Sequence, residues 1–208
     1  TRSHPRPASR WTSIASWFDN AVAAAVANSD QPRRIDWPRQ LPFISLHLGC
    51  VAVFWVGTSA TAVLVAAGLY GLRMFAITGF YHRYFSHNAF RTSRAAQFAF
   101  ALLGASGVQR GPLWWASQHR HHHAHADLPE DTHSSLQHGF LWSHMGWFMA
   151  RENFATRTER VEYLARYPEL RFLDRYDALV PALLCATLYA AGAVLERTAP
   201  GLGVSGAQ

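Results

Sequence analysis

The chain has 208 residues, half of them hydrophobic, with 19 basic and 13 acidic side chains and a formal charge of +6. Its length suits one domain, and two cysteines are too few for a disulfide scaffold or a cysteine-rich zinc module. Every basic residue is arginine; they flank apolar stretches and form no single stripe, which counts against a nucleic-acid partner despite a pI near 9.9.

Residues 1–40 read as a polar, proline-bearing arm with six arginines and no apolar run of secretory-leader length. A short amphipathic helix is expected around Trp11 to Ala27. Leu41 to Phe80 is forty residues with one charge, Arg73, and one histidine, His47. A bilayer crossing needs about 20 apolar residues, so this stretch predicts two crossings, with Gly57-Thr58-Ser59 as the turn between them. Directly after it comes His82-Arg-Tyr-Phe-Ser-His87. Ser93 to Val108 is apolar but short and broken by Gly104 and Gly107, so a membrane-surface or buried helix is expected.

Trp114 to His144 holds eight of the chain's twelve histidines, and His82 and His87 are two more. Imidazole needs no deprotonation to bind a metal near pH 7 and suits zinc, copper, iron and nickel. On a helix turning about 100° per residue, His119, His122 and His123 stand at about 0°, 300° and 40°, while His121 at about 200° points away. His82 and His87, about 140° apart on an ideal α-helix, are expected to flank a site or to serve two different metals. The competing reading is a compositional histidine tract with no fixed geometry.

His138 to Ala150 is aromatic and amphipathic, as expected of an element at a membrane interface, although Trp142 and Trp147 also suit ordinary packing. Arg151 to Arg175 mixes charges with Val161, Leu164, Leu170 and Leu173 at roughly helical spacing. Ala178 to Leu195 is a third apolar segment at the lower end of spanning length, with Pro181 in its first turn, where proline is tolerated. Cys50 and Cys185 lie in apolar segments and are expected to be buried, unpaired thiols. The arginines crowd into residues 2–39, 83–120 and 151–175, which predicts that the arm, both histidine motifs and the 151–175 loop face the cytosol.

HRYFSH after an apolar hairpin, HRHHH in an HxxHH pattern, and then GFLWSHMGW together resemble the membrane-bound fatty-acyl desaturases of the acyl-CoA Δ9, stearoyl-CoA type, over residues 40–197. The resemblance implies an all-α integral membrane protein: a helical hairpin plus a third apolar helix, the front part of a four-crossing bundle, with the histidine boxes on cytosolic helices. It divides the chain into the arm, 1–40, and a desaturase domain, 41–208, whose third HxxHH box, one further histidine and fourth crossing are expected beyond Gln208. It also implies two iron ions (Fe2+), with His82 and His87 as ligands from the first box, His119, His122 and His123 from the second, and His121 in a non-ligand position.

The implied reaction is O2-dependent formation of a double bond, at Δ9, in a saturated acyl chain carried as a thioester or a lipid. Electrons would come from a carrier of the ferredoxin or cytochrome b5 kind. Ser117-Gln118 stand where animal members carry Arg-Asp for substrate-head contacts, which leaves coenzyme A, acyl carrier protein and phospholipid open as carriers. Trp114, Trp115 and the aromatics around Phe140 are candidates for tunnel lining or for core packing. His125, His133, His138 and His144 are candidates for orienting the ligands, for further ligands or for plain surface residues. Two alternatives stand beside desaturation. One is a related di-iron hydroxylase; the other is a non-catalytic membrane metal-binding protein, which more often places polar ligands inside its crossings.

Overall fold

The computed structural model describes residues 10–26 and 34–208. Among the described residues, three helices are long and apolar enough to cross a membrane: Trp37–Val56, Ala60–Ser86 and Leu179–Thr198. The first begins four residues before the predicted start and comprises α1, Trp37–Val51, with a short continuation at Val53–Val56. Its N-terminal turn carries Pro38, whose missing N–H would have no partner there in any case. After the turn at 57–59, Ser59 caps α2, Ala60–Phe75, by accepting from the Ala62 N–H at 3.2 Å. Leu179–Thr198 is α6, with Pro181 in its first turn as expected.

Within the apolar 18-residue stretch that qualifies each span, only 6% of residues are buried inside the protein. Leu64, Phe54, Trp55 and Leu183 are among the exposed apolar side chains. Such faces are unfavourable in water and favourable in lipid, so the three helices make this an all-α membrane protein. Cys50 and Cys185 are free, as expected, but both are exposed, contrary to the expectation of burial. They sit on the outer faces of the spans, where the surrounding apolar medium is lipid and not the protein core.

The protein core lies beyond the end of α2. There the helix widens into a π-helical stretch, Ala76–Ser86, in which each N–H reaches back five residues. Against it pack α3, Arg94–Ala105, and α4, Pro112–His125. Ile77, Tyr81, Tyr84 and Phe85 from the π-helix meet Ala101, Leu113 and Ala116, with Val161, Leu164, Leu170 and Leu173 closing the cluster. Those last four residues are the apolar set expected in 151–175. The segment is not one helix, however: it breaks into 3-10 turns, a short helix at Glu162–Ala165 and α5, Pro168–Arg175. Pro168, with no N–H and a fixed φ, starts a new helix and ends the preceding one.

Two short helices, Arg10–Ala15 and Asn20–Val26, replace the single one expected in the arm, whose predicted end at Ala27 lies outside the described residues. The arm reaches the core: Asp19 pairs with Arg175 at 2.8 Å, and the Asn20 side chain donates to the Asp174 carbonyl at 2.6 Å. The N-terminus of α4 is fixed from α5. Asp174, buried, accepts from the Trp114 N–H at 2.7 Å and from the Thr156 hydroxyl at 2.6 Å. Gly111 permits this approach, because a Cβ there would lie 2.4 Å from the Asp174 Cα.

Candidate metal centre

The two histidine motifs sit on the two elements that pack most extensively against each other, the π-helix and α4. His82 and His87 are neighbours. In the π-helical register the His87 N–H reaches the His82 carbonyl at 3.2 Å, and the two Nε2 atoms lie 3.1 Å apart. The 140° separation expected from α-helical geometry is therefore corrected, because hydrogen bonds spanning five residues stack a five-residue spacing on one face. His119 and His123, four apart on α4, also share a face, with ring centroids 4.5 Å apart.

The four rings converge. His87 Nε2 stands 3.1 Å from His119 Nε2 as well as from His82 Nε2, and the His123 ring lies 4.7 Å from the His87 ring. One candidate ligand atom from each of His82, His87, His119 and His123 falls within 4.8 Å of all the others. A neutral His87 Nε2 carries at most one proton and cannot donate to both neighbours. A cation, in contrast, can accept all the lone pairs. Nitrogens 3.1 Å apart subtend about 100° at an ion bound at the usual imidazole distance of about 2.0–2.1 Å. The donor set thus fits a first-row metal ion.

At two of the four, burial and neighbouring imidazoles disfavour the charged form. Burial, with help from His123, His82 and His87, pushes the His119 imidazole down to about 3. His87 is lowered in the same direction by desolvation and then by His82, His123 and Arg120. Behind the cluster Trp115 stacks on His119 at 4.8 Å, and Arg120 donates to the Ser86 carbonyl at 3.2 Å, joining the second motif to the last residue before His87.

His122 is not brought into this group, although the helical angles placed it with His119 and His123. Its Nδ1 lies 2.9 Å from Asp131 Oδ2, and it forms a second potential ligand group with Asp131 and His133. Asp131 has no exposed surface. Burial raises its carboxyl, but hydrogen bonds from His122, the Asp127 N–H and the His133 N–H outweigh that and hold it below its ordinary value. Asp131 was missed in the sequence, where it is one of three acids in ADLPEDTH and carries no spacing signal. His121 turns away as expected, with Nε2 2.9 Å from the Glu130 carbonyl.

The other candidates separate by contact. His133 stacks on His122 at 4.3 Å and meets Trp147 at a tilt at 4.7 Å. His138 Nε2 is 2.8 Å from the Asp131 carbonyl, His125 Nδ1 is 3.0 Å from the His121 carbonyl, and His144 stacks on exposed Phe140. Trp114 is core: it is buried, donates to the Asn153 carbonyl at 2.6 Å and stacks on Trp147.

The fatty acid desaturase family model matches residues 57–200. The chain is 34% identical over 171 residues to sn-1 stearoyl-lipid 9-desaturase from Anabaena variabilis, covering 80% of this chain and 62% of that protein. With sn-2 palmitoyl-lipid 9-desaturase from Nostoc sp. (strain 36) it shares 36% over 179 residues, covering 83% and 61%. With the chloroplastic palmitoyl-monogalactosyldiacylglycerol delta-7 desaturase of Arabidopsis thaliana it shares 38% over 135 residues, covering 63% and 36%. The chain thus spans less than two thirds of the length of each of these relatives.

Proposed function

The chain belongs to the fatty acid desaturase family, and we propose that the intact protein is an O2-dependent di-iron enzyme that forms a double bond, at Δ9, in a saturated acyl chain. The observation that carries this reading is the convergence of His82 and His87 from one helix with His119 and His123 from another. These four would hold one iron, and His122 would face the second. The iron pair, when bound, supplies the O2 reduction and the oxidising power that an unactivated methylene demands and that no side chain provides.

The work of the chain's own residues is to bind and to place. At His87 and His119 the charged form is disfavoured, which keeps their lone pairs available. Arg120 holds the two motifs in register. The apolar faces of the three spans put the site beside lipid, where acyl chains are. For the polar head of the acyl carrier we favour a lipid headgroup, because all three relatives above act on lipid-linked chains by name. A polar cavity of about 230 Å³ supports a head site: the buried Gln118 Oε1 and Thr132 Oγ1 face it without a protein partner, and Arg157 and Arg160 also line it. The arginine distribution supports a cytosolic site, with an electron carrier of the ferredoxin or cytochrome b5 kind docking there.

The test is product analysis. Intact protein, iron-loaded and given O2, reductant with carrier, and stearoyl chains on glycerolipid, coenzyme A or acyl carrier protein in parallel, should yield a product lighter by two hydrogens, fastest from the glycerolipid. A product heavier by one oxygen would assign a hydroxylase instead. No turnover on any carrier by iron-replete protein would contradict the reading.

A further inference from the structure

His122 stands apart from the four-histidine cluster, and its environment has been built for one purpose. Among the described residues it is the one box histidine paired with a carboxylate, Asp131 at 2.9 Å. An ionised carboxylate only accepts, so His122 Nδ1 is the donor in this contact. A neutral imidazole carries one N–H; with Nδ1 protonated, the lone pair lies on Nε2. The ring cannot easily swing away from that pose, because His133 stacks on it at 4.3 Å with the planes 28° apart, and Trp147 packs behind His133 at 4.7 Å.

Both carboxylate oxygens of Asp131 are already engaged by N–H donors. Its Oδ1 accepts from the His133 N–H at 3.2 Å, and its Oδ2 accepts from the Asp127 N–H at 3.1 Å as well as from His122. The loop that carries it is fastened on both sides: Ser134 Oγ donates to Asp127 Oδ1 at 2.7 Å, Gln137 Nε2 to the Asp127 carbonyl at 2.7 Å, and Trp142 Nε1 to the Thr132 carbonyl at 3.0 Å. A loop with this many anchors fixes its carboxylate in space. In metal sites, a carboxylate on the far nitrogen of a histidine sets both the tautomer and the orientation of the ligand.

We propose that Asp131 is a positioning residue: by fixing His122 with Nδ1–H inward, it makes Nε2 the nitrogen presented to the second metal. This rests on the reading of His122 as a ligand, and the experiment separates the two. Metal binding is read on the intact protein by Co2+ titration for wild type, Asp131→Asn, His122→Ala and the double variant. Both single variants should weaken one metal about 10- to 100-fold and spare the other, and the double variant should bind no worse than His122→Ala. Additive losses would show that Asp131 only props the loop, and an Asp131→Asn variant that binds like wild type would likewise overturn the proposal. If His122→Ala leaves both metals in place, His122 is not a ligand and both readings fall. A second measurement needs no variant. The 15N signals of His122 in metal-free protein should report a protonated Nδ1 and a bare Nε2, and the opposite tautomer would overturn the proposal.

Discussion

At the scale of single residues, the candidate site depends on imidazoles being close, and at His87 and His119 burial also disfavours the charged form. His87 is the pivot, because its Nε2 is 3.1 Å from two other ring nitrogens. His87→Ala should lower metal affinity at least tenfold, as loss of a direct ligand exceeds the loss expected from an orienting partner. His125→Ala, at a ring that meets the carbonyl and ring of His121 on its own helix, should leave Co2+ binding within twofold of wild type. A second prediction concerns Asp174, whose carboxyl burial raises to about 6, against the opposing effect of Thr156 and the Trp114 N–H. A carboxyl raised above its unfolded value contributes stability below about pH 4 and loses it as pH rises through 6, a change of about 3 kcal/mol at most. Asn can keep the bond from the Trp114 N–H and donate to Thr156 Oγ1. The melting temperature of Asp174→Asn in detergent should therefore gain on wild type between pH 4.5 and 7.5, and a constant difference would contradict the assignment.

At the scale of elements, the histidine identities were readable because boxes carry a residue-type signal, whereas the geometry between them was not. No residue in AITGFYHRYFS announces a π-helix, so α-helical angles were the natural assumption, and they separated His82 from His87 when the wider register stacks them. The error at His122 had a different source: angles on α4 were right, but its ring is captured by a loop whose position depends on tertiary contacts. The apolar residues of 151–175 were recognised by spacing although the helix they implied was not there, since burial constrains which residues are apolar more tightly than which backbone carries them. The π-helix is seated by the fit of Tyr81 against Gly104, where a Cβ would come within 2.0 Å of the ring. Gly104→Ala should destabilise the protein by about 1–3 kcal/mol. Because Tyr81 adjoins His82, the same variant should weaken Co2+ binding; a melting curve and a titration check the two effects together, and unchanged values in both would show the ring has room to move.

At the scale of the molecule, the membrane character was plain in the sequence, since forty residues with one charge leave few alternatives. What the sequence obscured was the meaning of an apolar environment for the cysteines, which face outward from the spans. In membranes, Cys50 and Cys185 should react with a membrane-permeant maleimide and resist a charged, impermeant one until detergent is added. Equal labelling by both reagents in intact vesicles would contradict lipid-facing spans. Three exposed apolar helices adjoin a core of π-helix, α3 and α4 that carries the site, an arrangement that suits the proposed acyl-chain substrate.

The most direct measurement is iron K-edge X-ray absorption on the iron-loaded intact protein and on His87→Ala. A shell of nitrogen neighbours at about 2.1 Å with the outer-shell scattering of imidazole, reduced in the variant, is the predicted result. An oxygen-dominated shell, or a spectrum identical in the two proteins, would contradict a metal centre made by histidines from two separate helices.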